Sequence, residues 1–199
     1  MIKHFLLLIC SILLTSCVIL PDEYFYPQAE GASAERELCH GSVGAKSKLV
    51  YELDDVKVDF SVGSVNSLST LYISIRVYDD SNAIWPAQTI TAYADSNELS
   101  LKLDHFTRYR YVDRYNSSEI ESIDYPSNTV MDRADHEDKQ RLYFREYYES
   151  YVSSVELTDI SIEELRIEAI KIIVRGKEHL LEDILFTKTK GIFLYPLNC

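Results

Sequence analysis

The residues Leu71-Tyr72-Ile73-Ser74-Ile75-Arg76-Val77-Tyr78 set the fold. Leu71, Ile73, Ile75 and Val77 occupy one parity; Tyr72, Ser74, Arg76 and Tyr78 occupy the other. Successive side chains of a β-strand point to opposite faces, so this alternation predicts a strand with one face in a core and the other toward water. The same period of two runs outward in both directions. Upstream, Leu49, Tyr51 and Leu53 alternate with Lys48, Val50 and Glu52, Asp54-Asp55 interrupts, and Val56, Val58 and Phe60 alternate with Lys57 and Asp59. Downstream, Leu99, Leu101 and Leu103 repeat the pattern.

Between these runs the chain echoes itself: Tyr78-Asp79-Asp80-Ser81-Asn82-Ala83-Ile84 resembles Tyr93-Ala94-Asp95-Ser96-Asn97-Glu98-Leu99. Both Asp-Ser-Asn triplets are turn chemistry, because these short polar side chains bond to nearby backbone and tolerate left-handed geometry. In the last third, Val152, Val155 and Leu157 approach Ile160 and Ile162, and Leu165, Ile167 and Ala169 alternate with Arg166 and Glu168. The parity then flips to Ile170, Ile172 and Val174, which predicts a bulge or a strand crossing between sheets. Arg175-Gly176-Lys177 reads as a tight turn, residues 180–187 as a returning strand and 192–195 as a final one. Short strands separated by turn signals predict an all-β fold. The expected architecture is a two-sheet antiparallel sandwich, immunoglobulin-like, with a transthyretin-like arrangement as the alternative.

Residues 105–151 break this rhythm, with eight tyrosines and two phenylalanines around a polar middle. Residues 108–113 and 142–147 still alternate, so the expectation is a strand, a long polar loop near 116–140, and a second strand. A helix over 134–151 competes, since Asp135-His136-Glu137-Asp138-Lys139-Gln140-Arg141 is good helical material.

The chain begins Met1-Ile2-Lys3-His4, passes through an apolar run from Phe5 to Leu14, and reaches Leu14-Thr15-Ser16-Cys17. A short cationic start, an apolar core and small residues ahead of a cysteine form the pattern of an export signal. Leu-Thr-Ser-Cys resembles the lipobox of bacterial lipoproteins. That resemblance implies cleavage before Cys17, a diacylglycerol thioether on its sulfur and an acyl chain on its new amino group. This covalent lipid on Cys17 is the one expected attached group, and no other cofactor is expected. A transmembrane reading of residues 5–20 competes, but no basic stop-transfer cluster comes after it and Pro21-Asp22-Glu23 turns acidic at once. Val18, not aspartate, stands after the cysteine, and by resemblance to proteobacterial sorting this implies the outer membrane; the expected side is the periplasmic face.

The chain thus divides into three regions: a signal peptide at 1–16, a lipidated cysteine and flexible tether at 17–37, and a single β-sandwich domain at 38–199. Pro21 and Pro27, with few periodic apolar positions, argue for the tether, and about 20 such residues would reach roughly 25 Å. Tyr24, Phe25 and Tyr26 would sit at the membrane interface or dock on the domain. Of the four cysteines, Cys10 leaves with the signal and Cys17 takes lipid, leaving Cys39 and Cys199. In an oxidising compartment such a pair reads as one disulfide.

The mature chain carries 19 basic and 32 acidic residues, formally −13. A surface that negative repels phosphate backbones and anionic lipid, so nucleic acid is not an expected partner and membrane attachment rests on acyl chains. Asp132, Asp135, His136, Glu137 and Asp138 form an acidic run that lacks the spacing and glycine of a calcium loop, so no metal is expected. His136-Glu137-Asp138-Lys139 has no second histidine at the zinc-protease spacing, and Gly41-Ser42-Val43-Gly44 lacks the nucleophile-elbow spacing. His40, His105, His136 and His179 stand singly, so no catalytic residues are assigned.

The remaining concentration of chemistry is aromatic. Tyrosine combines a flat contact area with a polar tip and is enriched in recognition surfaces. Tyr109, Tyr111, Tyr143, Tyr147, Tyr148 and Tyr151 are therefore the candidate binding surface. The expected function is a non-enzymatic, lipid-anchored binding or assembly module of the bacterial envelope, with an envelope protein or glycan as partner. The alternative is a surface-exposed accessory lipoprotein that binds glycan or a host molecule.

Overall fold

A computed structural model of the chain describes residues 17–36, 44–65, 68–78, 81–111, 120–133, 148–157 and 162–196. In chain order the strands are β1 (Cys17–Gln28), β2 (Ser33–Glu35), β3 (Lys48–Leu53), β4 (Val56–Val65), β5 (Leu68–Tyr78) and β6 (Asn82–Ile84). Next come β7 (Thr89–Ala94), β8 (Asn97–Lys102), β9 (His105–Tyr111), β10 (Ile120–Pro126) and β11 (Val130–Asp132). The last are β12 (Tyr148–Glu156), β13 (Glu164–Ile167), β14 (Ile170–Val174), β15 (Lys177–Leu181) and β16 (Ile184–Pro196). No helix occurs among the described residues, and the fold is an all-β sandwich of antiparallel sheets.

The octapeptide 71–78 lies inside β5, and its partners explain its alternation. A seven-stranded sheet runs β10-β9-β12-β5-β4-β3-β2, so β5 sits in the middle with β4 on one side and β12 on the other. Leu71, Ile73, Ile75 and Val77 are fully buried, while Tyr72, Ser74, Arg76 and Tyr78 remain at least partly exposed.

Against this sheet pack a five-stranded sheet, β1-β16-β13-β7-β8, and a four-stranded one, β11-β6-β14-β15. Three runs of chain connect the small sheet with the five-stranded one: β6 into β7, β13 into β14, and β15 into β16. The parity flip predicted at Ile170 marks one crossing. β13 buries Leu165 and Ile167, β14 buries Ile170, Ile172 and Val174, and the link between them is held by Ala169 N–H donating to Asp183 Oδ1 at 2.9 Å and Glu168 N–H donating to Thr91 O at 3.0 Å. A break in alternation changes which sheet the strand belongs to, because the side chains must keep facing one core.

That core is one cluster fed by all three sheets. Trp85, just after β6, is fully buried, with Phe60 of β4 at 6.3 Å and Phe106 of β9 at 5.8 Å between ring centroids. Across the layers, Tyr51 donates its hydroxyl to Glu182 O at 3.2 Å, and Asn128 N–H donates to Trp85 O at 2.8 Å.

Three expectations change here. The stretch read as a flexible tether at 17–37 is, over Cys17–Gln28, a strand paired with β16 along its whole length. Proline lacks a donor, but β1 is the sheet edge and needs hydrogen bonds on one side only, so Pro21 and Pro27 are tolerated. Phe25 docks: it is 3% exposed and belongs to the core. The long polar loop near 116–140 contains two edge strands, β10 and β11; β11 has three residues and the apolar Ile120 and Ile123 of β10 fall on opposite parities, so neither shows the period. Of the competing helix, residues 148–151 belong to β12, while 134–147 lie outside the described residues, with the strand expected at 142–147. The proposed disulfide partners, Cys39 and Cys199, also lie outside them.

Candidate binding surface on the seven-stranded sheet

Residues directly opposite each other in an antiparallel pair share a face, so the register of the seven-stranded sheet places its outer face in rows. One row runs Lys57, Arg76, Ser150, Tyr109 across β4, β5, β12 and β9. The next runs Asp59, Ser74, Val152, Thr107 and then Asp124 of β10. A third is Ser61, Tyr72, Ser154, and on the other flank Tyr78 faces Tyr148. Tyrosine rings, hydroxyl side chains and one arginine therefore share a sheet face.

The face is preorganised by ion pairs and ring contacts. Asp59 is nearly buried and accepts from Arg76 Nη2 at 2.6 Å, with Lys48 Nζ 3.8 Å from its other oxygen. Burial opposes the Arg76 charge most strongly, but the Asp59 carboxylate together with Tyr78 and Tyr148 outweighs it and holds the guanidinium above its ordinary pKa. Arg76 lies over the Tyr148 ring at 5.8 Å, and Tyr148 packs on Tyr78 at 5.3 Å. Lys57 lies over Tyr78 at 5.9 Å while pairing with Glu52 at 2.9 Å. Ser74 and Ser150 hydroxyls are 3.4 Å apart, and Thr107 donates to Asp124 Oδ1 at 3.3 Å. Tyr72 and Tyr109, at 42% and 37% exposed, are the open rings of the face. With Arg76 neutralised by Asp59, recognition here would work through ring stacking and hydroxyl hydrogen bonds more than through net charge.

The sequence-predicted residues divide. Tyr109 and Tyr148 belong to this face. Tyr111 lies in β9 opposite Ile120, and Tyr143 and Tyr147 fall outside the described residues. Tyr151 is a correction: it sits on the opposite parity of β12 and is fully buried. Tyr72 and Tyr78 escape the sequence reading, although they stand on the polar parity of the same octapeptide that sets the fold.

Tyr151 instead closes one end of the core. Its hydroxyl donates to Asp132 O at 2.5 Å, and its ring meets Tyr125 at 5.2 Å nearly edge-on. Arg108, only 7% exposed, lies over Tyr125 at 5.2 Å. Burial pushes the Tyr151 phenol up to about 12, with Arg108 working against it. These contacts tie β9, β10, β11 and β12 together and make the cluster structural.

A shallow groove of about 440 Å³ runs between Tyr26, Pro27, Ala32, Ala34, Leu49 and Leu185, with Glu30 the carboxylate in its lining. Among the described residues no group of three or more histidine, cysteine, aspartate or glutamate side chains could hold a metal ion, and no helix is long and apolar enough to cross a membrane. Asp132 lies at the end of β11, and the rest of the acidic run, Asp135 to Asp138, is outside the described residues.

No protein-family model and no curated protein matches the chain. Among solved structures, Northeast Structural Genomics Consortium target SoR45 aligns over 88% of this chain and 85% of that one, at 8% identity and a TM-score of 0.24, values that carry no argument about fold or function.

Proposed function

We propose that the protein is an exported, lipid-anchored, non-enzymatic binding or assembly module of a bacterial envelope. It is attached through Cys17 and recognises a partner protein of the envelope with the outer face of the seven-stranded sheet. The export reading is supported by the Leu14-Thr15-Ser16-Cys17 signal. The binding reading is carried by one observation: Tyr72, Tyr78, Tyr109 and Tyr148 share a sheet face with an arginine pinned among them. Rigid aromatic rings lose little entropy on contact, and a few of them at the centre of an interface supply most of its affinity.

Replacing Tyr72 and Tyr109 with serine tests this. Crosslinking in intact cells is expected to recover the partner at least about tenfold less efficiently, because two exposed aromatic anchors are gone. The melting temperature should stay within a few degrees, since exposed substitutions away from the core change stability by about 0.5 kcal/mol or less. Unchanged capture, or loss of the fold with capture intact in the folded fraction, would sink the reading. Recovery of a glycan, with the domain removed by protease added to whole cells, would favour the surface-exposed alternative.

A further inference from the structure

The ladder between β1 and β16 outruns the rest of its sheet. β13 leaves β16 at Glu164 opposite Thr187, and Lys188 N–H donating to Glu163 O is the next main-chain link on that side. From Thr189 to Pro196, β16 pairs only with β1 among the described residues, Tyr24 facing Thr189 and Cys17 facing Pro196. This is a two-stranded ribbon of eight rungs, roughly 25 Å long at the usual strand rise.

Its composition changes sharply along its length. The five rungs nearest Cys17 are Cys17 with Pro196, Val18 with Tyr195, Ile19 with Leu194, Leu20 with Phe193 and Pro21 with Ile192. None holds a charge. Successive rungs belong to alternate faces, so both faces of the outer ribbon are apolar by register. An antiparallel sheet in water keeps one face polar, and an isolated two-stranded ribbon is marginal at best. Ile192 is 76% exposed, the most open of the large hydrophobic side chains among the described residues. The base is different: Lys188 and Lys190 each lie 3.0 Å from the Glu23 carboxylate. The Phe193 ring lies over Gly191, where a Cβ would collide with it, and meets Tyr24 edge-on at 5.3 Å.

We infer that the outer five rungs of this ribbon seat in the membrane interface beside the acyl chains of Cys17. The protein then grips the bilayer with a protein element as well as with lipid. This rests on Cys17 being the lipidated residue. Continuity names the occupant: acyl chains attached at the first rung put the tip of the ribbon at the lipid surface, where an element apolar on both faces has its complementary medium. Insertion is shallow. The open edges of a two-stranded ribbon carry backbone groups that hydrocarbon cannot satisfy, which confines it to about the outer 5–10 Å of the bilayer. Pro21 and Pro196 remove two of those donors, Tyr195 has the chemistry of the aromatic belt, and Asp22 followed by the Glu23–Lys190 rung marks where the ribbon leaves the lipid. A paired ribbon in place of a loose tether gives the sandwich a set orientation to the membrane.

The test uses the full acylated protein in vesicles of phosphatidylethanolamine and phosphatidylglycerol with brominated chains. Two variants carry a new fluorophore: Ile192→Trp in the ribbon and Lys177→Trp at the exposed start of β15, in the four-stranded sheet. Native Trp85 is fully buried and supplies a constant background. The expected result is a blue shift and loss of most of the added emission for Ile192→Trp, with none for Lys177→Trp. Unquenched emission from Ile192→Trp on vesicles that retain the protein overturns the ribbon inference and leaves the lipid anchor standing. Failure to bind vesicles, with no palmitate on Cys17, overturns both.

Discussion

At Tyr151 a single hydroxyl closes one end of the core. Tyr151→Phe keeps the ring against Tyr125 and removes the bond to the Asp132 carbonyl, so a loss of about 1–2 kcal/mol is expected in denaturant melts. Its pH behaviour has a definite sign. The folded phenol titrates at about 12 against an ordinary 10.0, so the stability it contributes is complete below pH 10 and drains away as pH rises toward 12. Asp104 has the opposite sign. Hydrogen bonds first from Lys102 and then from His105 lower its carboxyl from 3.8 to about 2, so its contribution is present above pH 3.8 and lost as pH falls toward 2. Asp104→Asn should flatten the dependence of melting temperature on pH across that acid window. A tyrosine's identity does not reveal which face it takes. In the sequence Tyr151 is indistinguishable from Tyr148 on the outer face, because only its strand partners, Ile75 and Arg108, set its parity inward.

The turns show how similar local chemistry yields different elements. Asp95 and Ser96 both take positive φ, 46° and 76°, and form the tight turn of the β7–β8 hairpin. The Asp95 carboxylate then accepts from the N–H groups of Glu163 and Glu164, which locks the hairpin to β13. The matching triplet at 80–82 takes a different course: Ser81 N–H donates to Tyr78 O at 3.2 Å, and the chain leaves β5 for another sheet. The residues after each turn make the difference, since Ala83 and Trp85 are wholly buried in the core while Glu98 and Ser100 face water. Serine is strained at a φ of 76°. Ser96→Gly is therefore expected to raise stability by roughly 0.5–1 kcal/mol, measured as a shift in denaturant midpoint without a change in slope. The β3–β4 hairpin is readable from alternation and turn residues; for β7–β8 and β14–β15 the turns are readable, but β7 is not, and the returning strand expected at 180–187 is divided between β15 and a β16 that runs on through 192–195. β1 is not readable either, because an edge strand with two prolines and a mixed face carries no clean period.

For the molecule as a whole, the proposed attachment and the proposed recognition lie on different sheets. Cys17 opens β1, which pairs with β16, and the seven-stranded sheet carries the tyrosine face. Cys17→Ala should therefore abolish palmitate labelling and displace the protein from the outer-membrane fraction while leaving its melting temperature unchanged, because Cys17 lies in the outermost rung of an edge strand. The order of residues alone pointed to an all-β fold and to a bulge or a sheet crossing near Ile170, and it singled out Cys17 as the expected anchor. Each is written locally, in the polarity of neighbouring residues or the order of a short signal. It took the assembled sheets to establish that β1 pairs with β16, that the supposed tether is a ribbon, and that Tyr151 leaves the tyrosine set for the core while Tyr72 and Tyr78 join it. Those outcomes depend on which backbones meet across the sheet. Cys17 and Pro196 are joined by a pairing that nothing in the chain between them spells out, since a strand's period shows that it has two faces and not which neighbour covers them.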